Sequence, residues 1–120
     1  MPGLEQRQHP RFQTRIFGVF AADIDVNETE MLMTNLSLGG AFVRTDEPAP
    51  PGSTVTLRFY LPTEDTPVSV IGEVVWWRPS AEQGEPGMGV KFVQGRQEDF
   101  EKLKHYITLL VEQELFHDKT

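Results

Sequence analysis

The chain has 120 residues, a formal net charge of −7 and no cysteine. Its length supports one domain with a modest core, and the missing thiol excludes disulfides, zinc–thiolate sites and cysteine nucleophiles. The acidic total argues against a general binder of nucleic-acid polymers, and with no apolar leader or long uncharged apolar run the expectation is a cytoplasmic chain without membrane insertion.

Residues 1–11 read as a basic arm. Arg7 and Arg11 lie four apart, and Pro10 disfavours a helix through His9. Within residues 1–15, Arg7, Arg11 and Arg15 stand against Glu5 alone, a local balance of +2 that leaves −9 for the remainder. A basic arm on an acidic body suits one small anionic ligand better than a polyanion. A solvated tail that is basic by chance accounts for the same composition.

Residues 12–95 carry strand patterns. Phe12–Ala22 places Ile16, Gly18 and Phe20 on one face and Phe17 and Val19 on the other, which predicts burial on both sides over part of its length. Asp23–Asn27 reads as a turn. Glu30–Ser37 is the second strand, with Met31 and Met33 on the face of Asn35 and Ser37. In Asn35-Leu36-Ser37-Leu38-Gly39-Gly40, an amide and a hydroxyl two positions apart share one face of an extended chain. The glycine pair that follows allows positive φ and close approach of the backbone to a ligand. A strand end running into a glycine turn explains the same residues without a ligand. Ala41–Thr45 is a short third strand, and the proline-rich link at 47–52 breaks regular structure.

Thr54–Leu61 alternates most cleanly, with Val55, Leu57, Phe59 and Leu61 inward and Thr56, Arg58 and Tyr60 outward. Val68–Arg78 is a long strand in which Gly72 predicts a bulge or a barrel bend. Trp76 and Trp77 fall on its opposite faces, one expected in the core and the other exposed. Pro79–Pro86 is a polar, mobile linker, and Gly87-Met88-Gly89 a tight turn into a sixth strand, Val90–Val93. Six short strands with no helix between them predict an antiparallel barrel or sandwich, and closing the sheet removes its edges.

From residue 96 the period changes. Phe100, Leu103, Ile107, Leu110 and Val111 recur at helical spacing, behind Glu98, Asp99 and Glu101, whose charges favour a helix N-terminus. This terminal helix is expected to pack across one opening of the barrel. Leu110, Leu115 and Phe116 are candidates for a dimer contact.

Taken in order, four pieces make a pattern. They are Arg-x-x-x-Arg (Arg7, Arg11), Asn-x-Ser-x-x-Gly (Asn35, Ser37, Gly40), Gly72-Glu73-Val74-Val75-Trp76 and Gly87-Met88-Gly89-Val90-Lys91-Phe92. With them the chain resembles the PilZ domain, the bacterial receptor module for cyclic di-GMP, from about Glu5 to Lys104. The resemblance implies an all-β fold with a terminal helix, a six-stranded antiparallel, split-barrel-like PilZ barrel. It also implies a ligand site made by Arg7, Arg11, Asn35, Ser37 and Gly40. The chemistry is reasonable, because a guanidinium fork donates to phosphate or to guanine O6 and N7 and its flat face stacks on purines. Asn35 and Ser37 would meet a guanine edge, and Gly40 would leave room beside the turn. Gln6 stands where the family motif often has a further arginine, which leaves open one ligand molecule or an intercalated pair. Arg15 and Arg44 are weaker candidates for supporting cations, a solvated strand face being the better explanation of either.

No enzyme is expected. His9, His105 and His117 have no metal-ligand spacing, and no serine has a nucleophile-elbow surround, so neither catalytic residues nor a metal or cofactor is assigned. The implied role is second-messenger signalling in motility or biofilm formation. The signal would pass to an unidentified protein partner from a monomer or homodimer. Two alternatives keep the fold: a PilZ-like adaptor that binds a motility or pilus protein without the nucleotide, and a ligand-free barrel that dimerises through the helix.

Overall fold

The computed structural model describes residues 10–23 and 27–118, without the side chains of 83 and 115–118. Arg7 and His9 of the arm, the centre of the expected 23–27 turn, and the side chains of Leu115, Phe116 and His117 therefore lie outside the described residues. Six strands follow one another: β1 (Phe12–Ala22), β2 (Thr29–Leu36), β3 (Gly40–Arg44), β4 (Thr54–Phe59), β5 (Val68–Arg78) and β6 (Gly87–Gly95). A helix, α1 (Gln97–Asp118), ends the described chain. The strands form a closed barrel in the order β1-β2-β3-β6-β5-β4, every pairing antiparallel and β4 returning to β1. The fold is the expected six-stranded antiparallel barrel with a C-terminal helix.

The core follows the alternation of β4 most simply. Val55, Leu57 and Phe59 are fully buried while Thr54, Thr56 and Arg58 are exposed. Each large apolar side chain so placed contributes about 1.5–3 kcal/mol relative to exposure. Met33, Leu36, Val43, Val70, Val74 and Met88 bring the other strands into the same core. Gly72 sits at a register shift as expected, the extra residue, Val93, being carried by β6.

Elsewhere irregular pairing overrides simple alternation. Between Met33 and Asn35, β2 has one residue more than β3, and β1 has an extra residue against β2 between Gln13 and Ile16. A bulge shifts the side-chain parity of its strand. Met31, Met33 and Leu36 are therefore buried while Thr34 and Asn35 both stay partly exposed, so Asn35 does not share the face of the two methionines. Ser37 lies beyond the end of β2 in the turn to β3 and is itself buried. The expected two-sided burial of β1 also fails, because Phe17 is 64% exposed.

The same device corrects the tryptophans. Val74 pairs with Val90, but Trp76 pairs with Gly89, so Val75 is the extra residue. Val74 points into the core, whereas Val75, Trp76 and Trp77 are all exposed, and neither tryptophan is a core residue. Gly87-Met88-Gly89 is not a turn but the first part of β6, paired on both sides. The link between β5 and β6 carries a single 3-10 turn at Ala81–Gln83.

α1 lies mainly against β5 and adds Leu103 and Ile107 to the core, with Phe100, Tyr106, Leu110 and Val111 half-buried around them. Asp99 in its first turn is wholly buried and accepts a hydrogen bond from Arg96 Nε at 3.2 Å. Carboxylates here complement the positive end of the helix dipole.

Neither Gly39 nor Gly40 uses the positive φ that glycine allows. Gly40 is required for a different reason. A Cβ there would collide with the Val90 carbonyl oxygen on β6, a backbone atom that moves only with its strand. Gly40→Ala should lower the stability of the ligand-free protein by about 1–3 kcal/mol, as other overpacking substitutions do, measured by urea unfolding. An unchanged midpoint would leave ligand clearance as the only reason for this glycine.

Candidate functional site

Two rows of residues cross the sheet side by side over β3, β6 and β5. In one, Phe42 pairs with Gly89 and Gly89 with Trp76; in the other, Arg44 pairs with Gly87 and Gly87 with Arg78. The centre of each row lacks a side chain, so the flanking groups close over β6. The Phe42 and Trp76 rings stack with centroids 5.4 Å apart and planes 21° from parallel, an offset geometry aromatic pairs favour. A Cβ at Gly89 would run into the Trp76 indole, and one at Gly87 into the Phe42 ring. The guanidinium of Arg78 lies over both rings, 5.6 Å from the Phe42 centroid and 5.5 Å from that of Trp76, a cation–π arrangement.

These groups form part of an open groove of about 910 Å³. Arg11, Arg15, Arg44 and Arg78 line it together with Gln13, Thr14, Thr34 and Asn35. The paired irregularities of β1 and β2 bring the polar residues there, and Thr14 Oγ1 donates to the Met33 carbonyl at 2.8 Å. Glu85, from the β5–β6 link, accepts an ion pair from Arg44 at 3.3 Å, and its main-chain carbonyl accepts from Arg78 Nη1 at 2.8 Å. The Arg44–Glu85 pair is about half exposed and contributes little stability by itself. Four guanidinium groups beside stacked rings make a surface for a ligand that is both anionic and flat.

The motif residues gather around this face but do different work. Asn35 lines the large groove. Ser37, Gly39 and Gly40 line a smaller adjoining groove of about 270 Å³, which also contains Lys91. Arg11, Phe42 and Trp76 belong to both, so Arg11 joins the two halves of the motif. Ser37 is engaged by its own turn: its Oγ donates to the Gly40 carbonyl at 3.3 Å and accepts from the Gly39 amide at 3.2 Å. The Ser37 amide donates to the same carbonyl at 2.9 Å. Arg7 is outside the described residues.

The family model for the PilZ domain matches residues 5–109. The chain belongs to the PilZ domain family. No curated protein matches the sequence, but several solved PilZ-related structures match the fold. The Bacillus subtilis inhibitor of motility, MotI/DgrA, superposes with a TM-score of 0.73 at 18% identity over 91% of this chain and 51% of its own. The chain thus spans about half the length of that protein. The PilZ domain of CeSA, from a cellulose-synthesizing bacterium, gives 0.61 at 20% identity over 83% of this chain and 97% of its own. The PilZ domain of YcgR from Escherichia coli, solved with c-di-GMP, gives 0.65 at 13% identity over 96% and 99%.

Within this PilZ domain, reading the sequence missed Phe42, Arg78, Glu85 and Tyr106 as groove residues. Phe42 and Trp76 are 34 positions apart in sequence, and only the register through Gly89 makes them neighbours. The spaced glycines of Gly87-Met88-Gly89 were the available signal, because a strand that lacks two side chains on one face invites its neighbours to close over it. Tyr106 comes from α1, at the edge of the apolar stripe, where the spacing of the stripe residues did not include it. Among the described residues, no cluster of three or more His, Asp or Glu could hold a metal ion, and no helix is long and apolar enough to cross a membrane.

Burial pushes the Tyr106 phenol above its usual value of 10. The folded chain therefore holds this proton more tightly than the unfolded chain, and the residue's contribution to stability falls as pH rises through and beyond 10. In a spectrophotometric titration, the phenolate signal lost in Tyr106→Phe relative to the wild type should have a midpoint above pH 10. A midpoint at 10 would mean that the phenol is fully solvated, and one below 10 that the groove arginines outweigh its burial.

Proposed function

We propose that this PilZ domain is a non-enzymatic, cytoplasmic receptor for cyclic di-GMP that passes its signal to a partner protein. One observation carries the reading: Arg11 lines both the groove of Asn35 and the groove of Ser37 and Gly40. The two motifs, 24 residues apart from Arg11 to Asn35, thereby face one surface with four arginines and a stacked aromatic pair. Two phosphodiester charges and two guanines are complementary to that combination. Arg7 would add a second fork from the arm, and Asn35 would meet a guanine edge. Ser37 would act mainly by holding the turn that carries Gly40. Ordering of the arm over the ligand would create or mask a partner surface, a disorder-to-order switch. The solved PilZ domain of YcgR with c-di-GMP supports the choice of ligand by analogy of fold. Motility and biofilm control are the settings that the family suggests.

A second reading has its own observation. Phe17 and Tyr60 are 64% and 55% exposed and line, with Met31 and Leu32, a groove of about 520 Å³ that meets the large one at Arg44. Aromatic side chains left uncovered in this way suit an adaptor that docks a protein directly. The exposed aromatics are compatible with both readings, so nucleotide binding is the feature that separates them.

Calorimetric titration with cyclic di-GMP, with GTP and cyclic GMP as controls, should show selective, saturable binding by the wild type. Arg11→Ala should weaken it by about ten- to over a hundredfold, the loss of charge-assisted bonds of about 1.5–3 kcal/mol each. An unchanged curve for that variant would remove the arm from the site. Absence of binding by folded wild-type protein would favour the adaptor.

A further inference from the structure

Glu85 is the one carboxylate among the described residues lining the large groove, against four arginines. Toward a ligand with two phosphodiester charges it is repulsive, so a groove shaped only for phosphate would do better without it. Yet the structure holds it in place from two sides. Arg44 pairs with its Oε2 at 3.3 Å, and Arg78 donates to its main-chain carbonyl at 2.8 Å while lying over Phe42 and Trp76. The acid thereby lines the same groove as the stacked rings and is joined to them through Arg78, so a base stacked there would present its edge within this groove. Guanine carries two adjacent donors on its Watson–Crick edge, N1–H and the 2-amino group. A carboxylate is acceptor-only and can receive both while keeping lone pairs for Arg44. Adenine presents an acceptor nitrogen at the first position and a bare carbon at the second, so the same carboxylate would repel it.

Resting on the cyclic di-GMP reading, we propose that Glu85 is a specificity-determining residue that accepts hydrogen bonds from the Watson–Crick edge of a guanine and rejects adenine. The alternative is that Glu85 serves only as the counter-ion of Arg44. The two differ in sign. A counter-ion competes with phosphate, so its removal tightens every anionic dinucleotide alike. A base-reading acid is lost selectively.

The test is calorimetric titration of cyclic di-GMP and cyclic di-AMP into the full chain and its Glu85→Ala and Glu85→Gln variants, with folding checked by circular dichroism. The wild type should prefer cyclic di-GMP by at least about tenfold, and Glu85→Ala should reduce that preference by about ten- to a hundredfold. Glu85→Gln, which keeps one acceptor oxygen, should fall between. A preference unchanged within about twofold in Glu85→Ala, or parallel tightening of both ligands, would overturn the inference and leave the receptor reading intact. A folded wild type that binds neither dinucleotide would overturn the receptor reading, and this inference with it.

Discussion

A closed barrel has one inside, and a strand alternates its side chains with a period of two. Between them these constraints leave no freedom over which residues face solvent, unless a strand gains or loses a residue against its neighbours. This protein uses that exception where its candidate site lies. The extra residue of β2 near Thr34 takes Asn35 off the face of the buried methionines, and the extra Val75 in β5 takes Trp76 off the face of buried Val74. Without these two shifts, strict alternation would direct both side chains inward. An unpaired amide in an apolar interior is costly, and a further large ring would overfill a core that already holds Phe12, Phe20, Phe59 and Phe92.

The second device is the removal of side chains from β6. Neighbouring strands lie about 4.8 Å apart, so residues two strands away do not ordinarily touch. Gly87 and Gly89 leave a shallow trough, and the Phe42 and Trp76 rings meet across it with Arg78 laid over them. The site is thus supported by paired strands on every side, while the residues that would close it come from outside the sheet: Arg11 before β1, Glu85 from a link and Tyr106 from α1.

Charge is arranged by the same division. The chain as a whole is acidic, with 18 Asp and Glu against 11 Lys and Arg, yet among the described residues four arginines converge on one groove with a single carboxylate. Net charge therefore describes the solvated body and says little about the site, where local fields within a Debye length of about 10 Å govern what is attracted. Polymeric nucleic acid would meet the acidic body as well as the groove. A small dinucleotide would meet the groove alone.

By itself the sequence determined the barrel, the terminal helix and the two motifs, because inward alternation in Val55-Thr56-Leu57-Arg58-Phe59, helical spacing in Phe100–Val111 and the order Arg7, Arg11, Asn35, Ser37, Gly40 are local properties of the chain. It also marked the irregularity at Gly72. It misplaced Asn35, one of the two tryptophans and the start of β6, since a bulge is a mismatch between two strands and neither strand records it alone. It read Gly40 as space for a ligand and did not show that the barrel also needs that glycine so that β3 can pass the Val90 carbonyl. The groove itself was decided only by the tertiary structure. Phe42, Trp76, Arg78, Glu85 and Tyr106 become neighbours through pairing register and helix docking, and long-range register is set by how the whole sheet closes rather than by any one segment.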